Sequence, residues 1–187
     1  MSRGIKRHQR FQTSIGKSIK FVRDLNIRPS PISNNLKEKL INLCYGCSED
    51  TPVHIFSEVA VNRLQKQSRR ADIVLYIPGV RLIYIEYKTI EKKGCTGLNE
   101  KVHKKQLAET YDNILANMTC AVSLCGSELK DTPLDVSVLL VSRRFWTGNR
   151  KDEVVVEYNP DEPRCLKEPS DPAVLKNMLS KLGRLYS

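Results

Sequence analysis

One stretch of the sequence, residues 71–89 (ADIVLYIPGVRLIYIEYKT), constrains the fold more than any other. Two runs rich in β-branched and aromatic residues flank the turn signal Pro78-Gly79, so the stretch predicts two antiparallel strands joined by a tight turn. Three charged residues, Asp72, Glu86 and Lys88, lie within these apolar runs. Burying a charge is costly unless it is paired or takes part in chemistry, so these residues are the first candidates for a functional site.

The length of the turn decides whether the three charges come together. Side chains alternate between the two faces of a strand, so Glu86 and Lys88 project from one face. A two-residue loop pairs Asp72 with Ile85, on the wrong side, whereas a three-residue loop over residues 78–80 pairs Asp72 with Glu86. Both lengths are common in hairpins, and the two-residue loop is the commoner. We predict the three-residue loop, or a bulge with the same effect.

Two opposed carboxylates point to a divalent cation, because they repel each other unless positive charge lies between them. Mg²⁺ takes oxygen ligands and is commonly held by one or two carboxylates together with substrate phosphate. We therefore predict that Asp72 and Glu86 bind Mg²⁺ or Mn²⁺. Lys88 would lie beside the metal and orient or deprotonate a water, or balance charge at phosphorus. The alternative is a buried structural ion pair between Lys88 and one of the acids.

Length and composition predict one globular domain over residues 1–187, with 40% hydrophobic and 28% charged residues. No run approaches 18 consecutive apolar residues, so we expect no transmembrane helix. The basic N-terminus contains no apolar segment of the secretory type, so we expect no signal peptide. The six cysteines are therefore expected to be thiols rather than disulfides.

Positive charge is concentrated at the N-terminus. The chain has a net charge of +10, and residues 1–28 hold eight basic residues and a single acid. Such clustering suits nucleic acid, an anionic surface or nuclear import, and charge alone does not separate them.

A stripe at helical spacing predicts a helix over residues 5–24 that packs on the core. The stripe consists of His8, Phe11, Ile15, Ile19 and Val22. The basic face of this helix, with Arg7 and Arg10, would border the cleft and contact nucleic acid. A solvated cationic face without a ligand is the alternative.

A second helix is predicted over residues 34–45, with Asn34 as its cap. It ends in the motif Cys44-Tyr45-Gly46-Cys47, near His54. Structural zinc needs four ligands in tetrahedral geometry, so two reduced thiols at a helix end are the favoured interpretation.

Residues 53–61 (VHIFSEVAV) predict the first strand of the sheet. One of its faces is expected to carry Val53, Ile55, Ser57, Val59 and Val61. The same alternation on the next strand places Asp72 on one face with Val74 and Tyr76.

Further basic residues are predicted at the mouth of the site. Residues 62–70 form a polar connection that ends in Arg69 and Arg70, whose guanidinium groups would hold a phosphate. A solvated hairpin loop would have the same sequence. Residues 99–118 predict a long amphipathic helix, with Lys104 and Lys105 near its start as further nucleic-acid contacts. Its apolar stripe is Leu107, Tyr111, Ile114, Leu115 and Met118.

The remaining residues complete an α/β pattern. Residues 135–143 and 153–158 predict two strands, residues 159–172 a proline-rich connector, and the chain closes on a helix with Pro172 in its first turn. The order helix, three strands, helix, strand predicts a mixed sheet flanked by helices. A basic helical segment (residues 1–30) and a C-terminal connector and helix (residues 159–187) would extend this core.

The arrangement of Asp72 followed by Glu86-x-Lys88 on the neighbouring strand resembles the PD-(D/E)xK nuclease superfamily, with Ala71 where the motif has proline. The resemblance implies an αβββαβ core and a metal-assisted phosphodiester cleft built from these three residues.

The resemblance also implies second-tier site residues. Members often add an upstream glutamate to the metal shell, for which Glu58 ranks above Glu38. Many members carry Gln and Tyr beside the metal on the helix after the third strand. Gln106 is the candidate here, although its spacing of five to Tyr111 differs from the usual four.

A closer resemblance is to the conserved herpesvirus nuclear protein family encoded by a core gene of the unique-long region, in a compact gammaherpesvirus form. It is carried by Gly4, His8, Arg10 and Phe11, the RRADIVLY and IEYKT strands, and the KKQL helix, and covers roughly residues 1–145. It implies location in the host nucleus and nucleolus, with host cytoplasm and virion as further sites. It also implies dispersal of nucleolar proteins such as nucleolin, cell-cycle arrest and a role in nuclear egress. Enzymatic activity is implied by the motif only.

Two functional hypotheses from different classes follow. In the first, the protein is a Mg²⁺-dependent nuclease acting on DNA or RNA. In the second, the same fold binds nucleic acid or host proteins without turnover.

Overall fold

The architecture is α/β, and we describe it from a computed structural model that covers residues 3–26, 33–61, 69–90, 100–146 and 149–186. The described helices are α1 Arg3–Ser18, α2 Asn34–Leu43, α3 Glu100–Ser123 and α4 Pro172–Leu182, with a short 3₁₀ helix at Val22–Asn26. The described strands are β1 His54–Ala60, β2 Arg70–Ile77, β3 Arg81–Ile90, β4 Leu129–Trp146, β5 Asn149–Glu157, β6 Cys165–Pro169 and β7 Arg184–Tyr186. The predicted basic connection over residues 62–68 lies outside the described residues.

The strands form one mixed, open sheet in the order β5-β4-β3-β2-β1-β7, with β6 pairing to β4. β1, β2 and β3 are antiparallel neighbours, whereas β4 runs parallel to β3. A parallel pair needs a crossover connection, which α3 provides. The predicted order of helix, three strands, helix, strand is therefore confirmed. No described helix is long and apolar enough to cross a membrane.

The helices cover the two faces of the sheet, and the sheet separates two hydrophobic clusters. The α1 face carries buried residues of α1 and α2, and the residue that follows α1, against β3 and β4: Phe11, Ile15, Ile19, Leu36, Leu40, Ile83, Ile85, Tyr87, Leu139 and Val141. The α3 face carries buried residues of α3 and α4 against β2 and β3: Val74, Tyr76, Leu82, Tyr84, Leu107, Tyr111, Ile114, Leu175 and Leu179. The candidate site residues lie at the end of the β2–β3 hairpin that is remote from the turn.

Three predicted boundaries are wrong, each because a side chain or a neighbouring strand forms hydrogen bonds with the backbone there. The N-terminal helix ends at Ser18 rather than near residue 24, because the Asp24 carboxylate accepts the backbone N–H groups of Lys20 and Phe21. Ser33, not Asn34, caps α2, since its hydroxyl accepts from the Leu36 N–H. The predicted connector over residues 159–172 contains β6, which is held by pairing to β4.

The three-residue loop of the hairpin is confirmed. Ile77 pairs with Arg81, and the Val80 N–H donates to the Ile77 carbonyl over 3.0 Å. Gly79 has a φ of 73°, which glycine adopts without the strain that a Cβ would bring. The Gly79 N–H donates to the carboxylate of Glu168 in β6, so a distant strand holds the loop in this form.

The predicted alternation of β1 is wrong after Ser57. Val53 and Ile55 belong to the α1 face as expected, but Val59 and Val61 belong to the α3 face. The cause lies at Glu58, whose φ of 54° interrupts the extended backbone. The alternation of β1 side chains between the two faces therefore shifts at Glu58, which lies directly opposite Asp72 of β2.

Glu168 offers a test of what fixes the hairpin register. Its carboxylate is only 1% exposed, accepts from the Tyr76 hydroxyl over 2.5 Å, and pairs with Lys130 over 2.8 Å. Glu168→Ala leaves these donors unpaired, so we expect the free energy of unfolding in urea to fall by about 2–4 kcal/mol. The exposed neighbour Lys167 provides the control, and Lys167→Ala should change it by less than about 0.5 kcal/mol. Equal stability of both variants would mean that the loop does not depend on this carboxylate.

Candidate functional site

The candidate site lies at the end of the β2–β3 hairpin that is remote from the turn. The ladder between the two strands ends with Ile73 paired to Ile85. The same register sets Asp72 opposite Glu86, as the three-residue loop requires. Lys88 follows two residues later on β3, so the three predicted catalytic residues occupy one end of the sheet.

Asp72 does not follow Val74 and Tyr76 onto the α3 face, and that expectation is wrong. Its Oδ2 accepts the backbone N–H of Tyr87 over 2.6 Å, and its Oδ1 lies 3.2 Å from His8 Nδ1 of α1. The carboxylate thus accepts a hydrogen bond from β3 at the point where the regular backbone pairing of β2 and β3 ends. It is 13% exposed and has a partner for each oxygen.

Glu86 and Lys88 form a close pair on the neighbouring strand. Lys88 Nζ donates to Glu86 Oε1 over 2.6 Å, and the two side chains are 38% and 20% exposed respectively. Burial raises the pKa of Glu86, the Lys88 charge opposes this, and the Asp72 charge adds to it. Asp72 and Glu86 therefore interact electrostatically, but their carboxylates do not project from one face of the sheet as expected. Asp72 contacts His8 of α1, whereas Glu86 lines a small recess with Thr110 of α3.

α1 adds two residues to the site that sequence reasoning did not assign to it. Gln12 is 6% exposed and donates from Nε2 to Glu58 Oε1 over 2.5 Å and to the Asp72 carbonyl over 3.2 Å. His8 precedes it by four residues and so shares its helix face. The available signal was the helical stripe that contains His8, but its partner on the sheet is 64 residues away.

The contacts of His8 make it part of the electrostatics of the site. The hydrogen bond to Asp72 raises the pKa of His8 above its usual value, and partial burial opposes the shift. The protonated form is therefore stabilised in the folded state. This stability is present below the ordinary histidine pKa of roughly 6.5 and is lost as the pH rises through the raised value.

Tyr87, between Glu86 and Lys88, seats α1 on the sheet. Phe11 stacks on its ring with centroids 4.2 Å apart, and His8 meets it edge-on at 4.9 Å. The Arg143 guanidinium lies 5.1 Å from the Phe11 ring centre and 5.4 Å from that of Tyr87. The same residue thus donates its N–H to Asp72 and positions the helix that covers Asp72.

The two candidate upstream glutamates are far from equivalent. Glu58 is joined to Asp72 through Gln12, and its carbonyl accepts from Arg70 Nη1 over 2.9 Å. Glu38 lies on α2 and lines a groove against β5. The structure places Glu58, and not Glu38, beside the predicted site.

The predicted nucleic-acid contacts surround the site at different distances from its acids. Arg69 and Arg70 are exposed and line the recess that contains Glu86, and the Arg69 charge lowers the pKa of Glu86. Arg69 also lies 3.8 Å from Glu109 of α3, which Lys105 approaches to 4.0 Å. The described remainder are Lys104 and Arg10, which are exposed, and Arg7, which is half-buried.

Gln106 is not among the residues that line the recess with Glu86. Its carbonyl accepts the hydroxyl of Thr110, one helical turn further along α3. Thr110 lines that recess instead. The spacing of five between Gln106 and Tyr111, instead of the usual four, is thus accompanied by the absence of Gln106 from this recess.

The donor set of the site suits a hard cation but does not form a complete cage. No group of three or more His, Cys, Asp or Glu side chains suited to a metal ion occurs among the described residues. Two interacting carboxylates fit the smaller protein contribution typical of Mg²⁺ sites, in which water and substrate supply the remaining ligands. At the cysteine motif, burial raises the pKa of Cys44 to about 11, which disfavours the thiolate form that metal binding requires.

Comparison of the sequence with protein-family models found no match, and a search among curated proteins found none either.

Glu86→Gln separates a functional site from a structural ion pair. Because the pKa of Glu86 is raised in the folded state, its contribution to stability is present below the ordinary glutamate pKa of roughly 4.3 and is lost as the pH rises through the raised value. At pH 7 the neutral amide should therefore raise the melting temperature, by about 2–4 °C for each kcal/mol relieved. The gain should vanish near pH 4.

The exposed Glu38 supplies the control for this comparison, since Glu38→Gln should leave the melting temperature unchanged at both pH values. A lower melting temperature of Glu86→Gln at pH 7 would identify the Glu86–Lys88 contact as a stabilising structural pair.

Proposed function

We propose that this chain is a nucleic-acid-binding protein of the PD-(D/E)xK type whose Asp72, Glu86 and Lys88 cleave phosphodiester bonds with Mg²⁺ or Mn²⁺. The observation that carries the proposal is the retention of two interacting, largely buried carboxylates and a lysine at one end of the sheet. A carboxyl group such as Glu86, whose pKa is raised by burial and which lies beside a second acid and a lysine, is typical of functional sites.

The topology supports the same assignment. Three antiparallel strands are followed by a crossover helix and a strand parallel to β3, which is the order that the resemblance implies for the αβββαβ core. The motif acids lie on β2 and β3, the two strands that the superfamily pattern names. Because one fold can host many activities, the site residues rather than the fold support the assignment of an activity.

Each site residue would have a separate role in cleavage. Asp72 and Glu86 would hold the cation, which supplies charge stabilisation at the phosphate and activation of the attacking water. The Lys88 ammonium, held by Glu86, would orient that water or neutralise charge that develops on the phosphate oxygens. Arg69 and Arg70 would bind the flanking phosphates, and Glu58 would complete the acidic shell through its contact with Gln12.

A second function, binding without turnover, is favoured by one observation. Both oxygens of Asp72 already have protein partners, His8 and the Tyr87 N–H, so a cation must compete with these contacts. The net charge of +10 is enough to concentrate the protein on RNA or DNA by charge alone.

The resemblance to the herpesvirus nuclear protein family extends the proposal to the cell. We infer action in the host nucleus and nucleolus, on nucleic acid and on nucleolar proteins such as nucleolin, with effects on the cell cycle and nuclear egress. The basic N-terminal helix supports this location, because nucleoli are rich in RNA phosphate.

Cleavage by wild type and by Lys88→Ala tests the nuclease hypothesis. Labelled DNA and RNA would be incubated with Mg²⁺ or Mn²⁺, with and without chelator. We expect cleavage by the wild type and a loss of at least about 100-fold in rate for Lys88→Ala, since removal of one transition-state contact costs about this much. Lys167→Ala, at the turn end of the hairpin, should cleave normally, and thermal melting would show that all variants fold.

The possible results separate the two functions. Equal cleavage by wild type and Lys88→Ala would indicate a contaminant. Binding without any cleavage by the wild type would support the non-catalytic module.

The salt dependence of binding tests the phosphate contacts of Arg69 and Arg70 under either function. Each phosphate contact contributes roughly 0.7–0.9 to the slope of log K against log salt, so the double alanine variant should flatten the slope by up to about 2. Affinities from fluorescence anisotropy at several salt concentrations give the slope. Lys167→Ala should leave it unchanged, and an unaltered slope in the double variant would remove both arginines from the interface.

A further inference from the structure

A cavity of about 1090 Å³ opens between α1 and the β1–β7 edge of the sheet, directly beside Asp72. Its volume lies slightly above the range of ordinary ligand pockets, which is roughly 300–1,000 Å³. α1 forms one wall and β7 the other, while Ser57, Glu58 and Asp72 line it from β1 and β2. We call it the α1–β7 cavity.

The width of the α1–β7 cavity is set by a close contact between its two walls. A Cβ placed on Gly16 of α1 would lie 2.4 Å from the Tyr186 ring of β7. Only glycine permits this approach, so the helix and the edge strand are held at a fixed separation. β7 in turn pairs with β1 from Ile55 to Ser57, which ties this wall to the sheet.

The lining of the cavity combines apolar surface, hydrogen-bonding groups and a cation. Ile5 and Leu185 are large apolar residues that remain 50% and 38% exposed while lining it. Gln9 and Thr13 add amide and hydroxyl groups, and Arg184 adds a guanidinium group. Sites that take up one nucleotide out of the stack combine aromatic or apolar side chains that pack on the base with hydrogen-bonding groups at its edge, and this lining adds a guanidinium group suited to phosphate.

The position of Asp72 favours an unpaired nucleotide over a duplex. The Asp72 side chain is only 13% exposed and is covered by His8 of α1. Asp72 thus lies recessed under α1, and enzymes that act at a recessed position take up a single nucleotide that has left the base stack.

We propose that the α1–β7 cavity binds an unpaired nucleotide and thereby selects single-stranded or locally unpaired nucleic acid as the substrate class. This inference rests on the proposed function, because it adds a base-binding subsite to the phosphodiester site at Asp72. The base would lie between Ile5 and Leu185, its edge would meet Gln9 and Thr13, and Arg184 would bind the adjoining phosphate.

Binding measured without cleavage tests the proposal. Three fluorescein-labelled oligonucleotides would be compared by anisotropy in the presence of chelator: an unstructured single strand, a hairpin whose fully paired stem is closed by a non-nucleotide linker (the closed hairpin), and the same hairpin with a one-nucleotide bulge in its stem. We expect the single strand and the bulged hairpin to bind at least roughly 5-fold more tightly than the closed hairpin, which is the low end of the contribution of one stacked base, because Ile5 and Leu185 are aliphatic.

Two variants localise the preference to the cavity. Gln9→Trp fills the cavity from an exposed helical position, so it should abolish the preference while affinity for the closed hairpin is unchanged. Arg184→Ala should weaken binding of the single strand and of the bulged hairpin. Asn177→Trp, at an exposed position of α4 that does not line the cavity, and Lys167→Ala are the matched controls and should behave as the wild type.

The outcomes distinguish this inference from the proposed function. Equal affinity for all three oligonucleotides, or a preference that survives in Gln9→Trp and Arg184→Ala with wild-type melting temperatures, would overturn the base-binding subsite and leave nucleic-acid binding intact. Absence of binding to every oligonucleotide at low salt would overturn both.

Discussion

The register of the β2–β3 hairpin is the constraint on which the site depends. A loop one residue shorter would reverse every side chain of one strand and separate Asp72 from Glu86. The three-residue loop is held by the buried carboxylate of Glu168, which accepts from the Gly79 N–H and the Tyr76 hydroxyl and pairs with Lys130. A polar network at one end of the hairpin thus sets the alignment of the charged residues at the other end.

The site itself is assembled by α1 rather than by the sheet alone. The Tyr87 ring receives Phe11 and His8 on one side of the sheet, and its backbone N–H binds Asp72. Arg143 packs against this aromatic cluster and pairs with the buried Glu153. The packing of α1 and the geometry of the motif acids are therefore coupled, because both depend on Tyr87, the residue between Glu86 and Lys88.

Electrostatics sets the site apart from the rest of the core. Burial and the charge of Asp72 disfavour the ionised form of Glu86, and Lys88 only partly offsets them. An apolar pair of similar volume would commonly be no less stable than a buried ion pair. Glu168, by contrast, has donors on both of its oxygens and serves the fold. This local conflict with the rules of stable packing is what makes Glu86 a candidate functional residue.

The sequence by itself determined the hairpin, the order of helices and strands, the buried stripes of α1 and α3, and the identity of the three charged residues. These features depend on local periodicity and turn chemistry, which act over a few residues. The tertiary structure alone decided the direction of the Asp72 carboxylate, the break in alternation at Glu58, the strands β6 and β7, and the entry of His8 and Gln12 into the site. Each of these depends on partners such as His8 and Asp72, which are 64 residues apart, and no local pattern encodes a contact at that separation.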